Sequence, residues 1–328
     1  MYDFESEKVK RFLDQQAVNR PAIQLPEGLK RYLDEIAPVF EESGLEPLIL
    51  ADSCYGACDI ADTNANRLGC DGLIHYGHAD MGLKTSIPTL YVEARVKRNP
   101  IQFFKDALPN LEGLIWGLTT TVQYIGWIDR VREYLENNGV RSVIGDPGPR
   151  VKYPGQVLGC DFSCARSVAG EVDGFIYFGT GRFHPLGIAI ATKKDVAVIN
   201  PIAEGHEILS PELDGFLNQR KAILSKAAAC KRFGVLVSSK KGQQRLAIAE
   251  ELTNLLRENG YDAQLFLQDE LNNERLYDFN VGAFVCTACP RIPIDDVEVY
   301  DRPILTPFEA RVLLGEEEFQ PYKLDEMT

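Results

Sequence analysis

Six of the eight cysteines fall into three close pairs spread along the chain: Cys54 and Cys58, Cys160 and Cys164, Cys286 and Cys289. Cys70 and Cys230 stand alone. The first two pairs are spaced C-x₃-C and the third C-x₂-C. Six thiols are too many for one structural zinc and too few for two Cys₄ sites. One thiol from each pair gives a different chemistry. A cubane iron–sulfur cluster held by three thiolates leaves one iron open to act on a substrate as a Lewis acid. The spacing does not say which member of each pair would ligate. The contiguous cysteine signature of ordinary radical S-adenosylmethionine enzymes is absent, because the C-x₃-C and C-x₂-C spacings stand far apart in the chain.

Three thiols can meet only if the chain brings distant segments to one point, and a threefold plan provides for that. The first segment runs from an apolar strand Ala22–Leu25 through a helical stretch Pro26–Ser43 and Gly44 to a strand Pro47–Ala51. The second repeats this with Leu114–Leu118, a helix from about Gln123 to Asn137, Gly139 and Arg141–Ile144. The third has Gly234–Val237, a helix from about Gly242 to Asn259, Gly260 and Ala263–Leu267. Each glycine sits where a helix ends and the backbone turns through positive φ. A further apolar run closes each segment: Gly72–Tyr76, Gly174–Phe178 and Val281–Val285.

Short apolar strands alternating with amphipathic helices argue for parallel sheets covered on both faces. The fold expected is α/β, with three homologous parallel-sheet domains, 1–105, 106–205 and 206–328, in pseudo-threefold arrangement around a central cluster. Ligands of open parallel sheets lie outside the carboxyl ends of the strands, where all three cysteine pairs fall.

The composition suits such a protein. With 35 basic and 48 acidic side chains the formal charge is −13, which disfavours the clustered Lys and Arg of a nucleic-acid surface. The Lys240–Lys241 and Lys193–Lys194 pairs and the acidic tail from Glu316 to Thr328 read as solvated surface. The longest apolar runs, Phe175–Phe178 and Leu186–Ala191, are far too short for a membrane helix. Residues Met1–Arg20 carry charges throughout with no apolar stretch, so a cytoplasmic protein with reduced thiols is expected.

Seven segments, Ile23–Leu29 (IQLPEGL), Tyr55–Asp59 (YGACD), Ile74–His78 (IHYGH), Thr120–Tyr124 (TTVQY), Gly155–Asp161 (GQVLGCD), Thr287–Ile292 (TACPRI) and Leu305–Glu309 (LTPFE), occur in the order in which they resemble the archaeal diphthamide synthase family. The resemblance spans nearly the whole chain. It implies Cys58, Cys160 and Cys289 as ligands of a 4Fe–4S cluster, leaving Cys54, Cys164 and Cys286 as spare thiols. It implies S-adenosylmethionine as cosubstrate, cleaved at its Cγ–S bond, with the 3-amino-3-carboxypropyl radical adding to C2 of a histidine of translation elongation factor 2. A homodimer and an external electron donor follow from the same likeness, with neither nucleic acid nor membrane as partner.

Residues at the strand ends are the candidate contacts for S-adenosylmethionine. Arg291 offers a planar fork to its carboxylate. Gly77, Gly179 and Gly181 would admit a ligand close to the backbone, and Gln156 is a hydrogen-bonding candidate. Strand alternation puts Tyr76 and His78 on one face and His75 on the other, so His78 is the substrate-facing histidine expected. Two rivals stand beside this reading. Quinolinate synthase resembles it in three repeated domains around an open-iron cluster used as a Lewis acid. A non-catalytic partner subunit would use its cluster for structure or electron transfer.

Overall fold

The computed structural model describes residues 1–328 apart from Glu112, Glu204, Pro211, Glu212 and Thr328. Three sheets share one strand order. Strands β1 (Pro21–Gln24), β2 (Leu48–Leu50), β3 (Gly72–Tyr76) and β4 (Thr89–Val92) lie in the order β2-β1-β3-β4. Next, β5 (Ile115–Thr120), β6 (Arg141–Ile144), β7 (Gly174–Phe178) and β8 (Val196–Asn200) lie as β6-β5-β7-β8, extended by the antiparallel β9 (Gly205–Leu209). The third sheet, β10 (Arg232–Ser238), β11 (Asp262–Gln268), β12 (Ala283–Cys286) and β13 (Ile304–Leu305), repeats the pattern as β11-β10-β12-β13. Apart from β9, the strands of all three sheets pair parallel.

The repeat reaches down to individual hydrogen bonds. Gly44, Gly139 and Gly260 have φ of 69°, 80° and 83°. Around them the amide of the next residue returns to a carbonyl five residues earlier: Leu45 to Phe40 at 2.9 Å, Val140 to Leu135 at 2.9 Å and Tyr261 to Leu256 at 3.0 Å. This Schellman closure turns each chain from its helix into the second strand of its sheet.

The helices between first and second strands differ in length from those expected. Pro26–Ser43 is broken into Glu27–Lys30, Leu33–Ile36 and Pro38–Glu41, and Pro38, which has no N–H for a continuous ladder, accounts for the second break. In the third unit the helix begins only at Leu246. Residues 242–245 stay out of it because their polar groups are engaged elsewhere, as described below.

The first and third sheets are stitched together by Lys240 and Lys241. Lys240 Nζ meets Asp59 Oδ2 at 2.6 Å, and Lys241 Nζ meets Asp62 Oδ2 at 2.7 Å. The solvated pair expected from sequence is therefore an inter-unit clasp. The carboxylates of the first unit supply the counter-charge, and the Lys240 side chain is 8% exposed. The tail departs from expectation in the same way. Glu316 and Glu318 are exposed, but Tyr322, Leu324 and Met327 are buried. Apolar side chains spaced among the charges draw the segment onto the second unit's core, whereas Thr328 lies outside the described residues. No helix among the described residues is long and apolar enough to cross a membrane.

Candidate functional site

One member of each cysteine pair reaches a shared cavity. Cys58, Cys160 and Cys289 line a space of about 230 Å³ together with Arg150, Gln156 and His78. A second cavity of about 180 Å³ shares Cys58, Cys289 and Arg291 with the first. All eight thiols are free. Cys54, Cys164 and Cys286 are turned away and 4%, 1% and 0% exposed. Cys164 donates to the Tyr153 carbonyl at 3.6 Å, and Cys286 is the last residue of β12 rather than part of the loop after it.

Each cavity-facing cysteine is held by segments distant in sequence. Cys58 lies on the 3₁₀ turn Ala57–Asp59 beyond β2. Its carbonyl accepts from the Gly242 amide at 3.0 Å, and its Sγ accepts from Gln243 Nε2 at 3.4 Å. A Cβ at Gly242 would stand 2.4 Å from Cys58 Cα, so only glycine permits this approach. Cys160 sits in a turn where Leu158 and Asp161 exchange backbone bonds of 3.0 and 3.2 Å, and its carbonyl accepts from the Met327 amide at 2.8 Å. Before Cys289, the Thr287 and Ala288 carbonyls accept from Arg245 at 2.6 and 3.1 Å.

Arg150 ties the cavity together electrically. Its Nη2 donates to the Gly242 carbonyl at 2.9 Å, while its buried Nε has no hydrogen-bond partner. Burial pushes the Cys160 thiol up to about 12, against which Arg150 acts by charge and hydrogen bond; the Cys58 charge raises it further. Cys58 is raised by burial, with Gln243 and Arg150 opposing. Cys289 is raised by burial and then by the negative charges that Cys58 and Cys160 would carry. A charge on Cys58 raises Cys160, and charges on both raise Cys289, so the three need a cationic centre to be ionised together. This donor set therefore fits a bound iron–sulfur cluster.

The candidate contacts are distributed unevenly. Gln156 is 2% exposed and lines the thiol cavity, joined to the end of β5 by a bridge to Thr120. Arg291 lines it too, but its guanidinium pairs with Asp295 at 2.7 Å and lies 5.3 Å from the centre of the Phe183 ring. Gly77 borders a neighbouring cavity with His78, Thr121 and Gln123. There its φ of 87° and the nearness of Pro26, not a ligand, demand glycine. Gly179 and Gly181 are not among the residues lining these cavities.

The alternation expected for the histidines is overturned. His75 Nε2 and His78 Nδ1 are hydrogen-bonded at 2.9 Å, so both rings lie on one side. The cause is Gly77, whose positive φ ends the strand and reverses the next side chain. Gln24 fixes the proton positions: its Nε2 donates to the Asp59 carbonyl at 2.7 Å, leaving Oε1 to accept from His75 Nδ1 at 2.8 Å. His75 Nε2 then accepts from His78 Nδ1–H. Donor atoms of Cys54, His75 and His78 lie within 4.8 Å of one another. Burial holds His75 well below the usual imidazole range and lowers His78 to about 4, which favours the neutral form of both rings.

Sequence reasoning missed Arg150, Gly242, Gln243, Arg245 and His184, the last of which also lines the thiol cavity. Gly242 and Gln243 follow the end of β10, where the carboxyl-end rule that singled out the cysteines also applies. Arg150 carried no such signal.

Three parallel α/β units presenting one thiol each to a common cavity define the class, and comparison with known proteins gives the family. Residues 25–324 match the model of the diphthamide synthesis protein family, and the chain belongs to that family. It is 39% identical to the 2-(3-amino-3-carboxypropyl)histidine synthase of Pyrococcus horikoshii, over 100% of this chain and 94% of that protein. It is 30% identical to the synthase of the same name from Methanocaldococcus jannaschii, again over 100% and 94%. The crystal structure of Dph2 from Pyrococcus horikoshii with a 4Fe-4S cluster matches with a TM-score of 0.92 at 38% identity, covering 99% of this chain and 94% of that one. The quinolinate synthase reading falls with this membership.

Proposed function

We propose that the chain is a 2-(3-amino-3-carboxypropyl)histidine synthase. It transfers the 3-amino-3-carboxypropyl group of S-adenosylmethionine, as a radical, to C2 of a histidine in translation elongation factor 2. The observation that carries this reading is the convergence of Cys58, Cys160 and Cys289 from three repeated sheets onto one cavity. These three residues are the ligands of a 4Fe–4S cluster, and the repeated units 1–105, 106–205 and 206–328 each contribute one. When bound, the cluster supplies an open iron for S-adenosylmethionine and the electron that cleaves the Cγ–S bond.

The remaining chemistry belongs to side chains. Arg150 supplies positive charge beside two thiolates and partly offsets their repulsion. Arg291 exchanges Asp295 for the cosubstrate carboxylate, a planar match that retains a charge-assisted pair. His78 and Gln156 offer neutral hydrogen-bonding groups at the wall of the same cavity. Holding the scissile carbon in line is the protein's contribution to choosing which bond breaks. The enzyme works in the cytoplasm as a homodimer with an external electron donor.

Anaerobic reconstitution followed by incubation with dithionite, S-adenosylmethionine and elongation factor 2 tests this. Methylthioadenosine and a modified histidine, identified by mass spectrometry, are the expected products. Production of 5′-deoxyadenosine alone, or no cleavage, would refute the assignment.

A further inference from the structure

The segment Tyr322–Met327 makes a set of contacts that its composition did not announce. Tyr322 is buried, and its hydroxyl donates to Glu309 Oε1 at 2.9 Å, which fixes one end of the segment to the third unit. Glu309 is itself clamped by Arg220 at 2.6 Å. Two residues beyond Leu324 lies Glu326, whose Oε2 accepts from the Phe162 amide at 2.9 Å and whose Oε1 pairs with Arg166. Between them Asp325 takes the Arg245 guanidinium, with Oδ1 accepting from Nη1 at 2.9 Å and Oδ2 paired to Nη2. That same guanidinium donates to the carbonyls of Thr287 and Ala288, directly before Cys289. The Met327 amide donates to the carbonyl of Cys160 itself at 2.8 Å.

Two of the three cavity-facing cysteines are therefore held by one strand of chain. From sequence the same stretch is simply acidic. In the fold its two carboxylates are consumed, Asp325 by a guanidinium 13% exposed and Glu326 by a backbone amide and Arg166. Charge-assisted bonds of this kind are the stronger ones, and breaking one leaves Arg245 with its charge uncompensated.

We infer that Asp325, Glu326 and Met327 form a positioning strap that sets the Cys160 loop of the second unit against the Cys289 loop of the third. The inference rests on the reading of Cys58, Cys160 and Cys289 as the cluster ligands. Asp325 acts through Arg245, and Met327 acts through the Cys160 carbonyl; neither touches the reacting groups. The strap makes no bond to Cys58, which is held by Gly242 and Gln243 instead.

This division of labour supplies its own control. Full-length protein without cluster is treated with N-ethylmaleimide under argon, and the alkylation rate of each cysteine is read by peptide mass spectrometry. Asp325→Asn should accelerate alkylation of Cys289 roughly tenfold or more relative to Cys58. Met327→Pro, which removes the donor N–H and also fixes φ at 327, should accelerate Cys160 more than Cys289; Met327→Leu, which keeps the N–H and an apolar side chain, should leave Cys160 protected. Asp325→Glu, which keeps the carboxylate, should restore most of the protection. Thermal unfolding of each variant confirms that the chain is folded. Equal acceleration of all three thiols, or acceleration of none, overturns the strap. In reconstituted protein, Asp325→Asn and Met327→Pro should each lose iron to a chelator faster than the wild type, and equal rates would overturn it as well. Failure of the wild type to take up iron refutes the ligand reading instead, while the alkylation pattern stands by itself.

Discussion

The two members of each cysteine pair occupy unlike surroundings. Cys58, Cys160 and Cys289 share a cavity with a guanidinium, and each is gripped through its own or a neighbouring carbonyl by a distant segment. Cys54, Cys164 and Cys286 are sealed away from the cavity, and burial pushes each thiol up to about 12. Proximity in sequence therefore says little about reactivity. What separates the sets is the opening: only the first three thiols line the cavity, where a ligand can reach them.

The contrast is broken most severely by removing cavity-facing thiols. Cys58→Ala, Cys160→Ala and Cys289→Ala should each abolish the intact cluster, as read by iron content and absorbance near ~400 nm after anaerobic reconstitution. Essential roles for Cys54, Cys164 and Cys286 in the same assay would reverse the assignment. Next in size is Gly242→Ala. Its added Cβ collides with the Cys58 backbone, so iron uptake should fall by more than about half while the protein stays folded. Arg150→Gln comes third. It removes the cation beside Cys58 and Cys160, so the cluster should still assemble but become harder to reduce, shifting the midpoint in an EPR-monitored titration to more negative potential.

Acid probes the neutral side. Burial holds His75 well below the usual imidazole range and lowers His78 to about 4; His184 is also lowered to about 4, by burial and then Arg291. Below about pH 6.5 the unfolded chain protonates these rings while the folded chain does not. The unfolded state then binds more protons, so stability falls as pH is lowered from about 6.5 toward the folded values. The slope is up to about 1.4 kcal/mol per pH unit for each ring. Urea midpoints of cluster-free protein at pH 7 and 5.5 measure it, and His78→Gln should reduce the slope. The smallest effect belongs to Cys164→Ala. Iron content should be unchanged, and stability should drop by only about 1 kcal/mol for a small buried side chain.

How far the sequence could be read depended on the range of the interaction concerned. Strand, helix and turning glycine are local, so Gly44, Gly139 and Gly260 could be matched and the three sheets inferred from them. The convergence of one thiol per unit followed from the strand-end rule, and the choice within each pair came from family resemblance. Long-range pairing was hidden. Lys240 and Lys241 look solvated until Asp59 and Asp62 are brought beside them, and the 322–327 tail looks solvated until Arg245 and Cys160 are. His78 was misplaced for a local reason: counting by twos assumes a strand that Gly77 had already ended.

The grip of Gly242 and Gln243 on Cys58 sets a condition on biosynthesis. On the ribosome, Cys58 emerges well before the loop that fixes it, and Cys160 emerges well before Met327. During that interval the first two thiols lack their final partners. A nascent chain thus cannot bring the three thiols together unit by unit. The common cavity exists only once the third unit has folded against the first two.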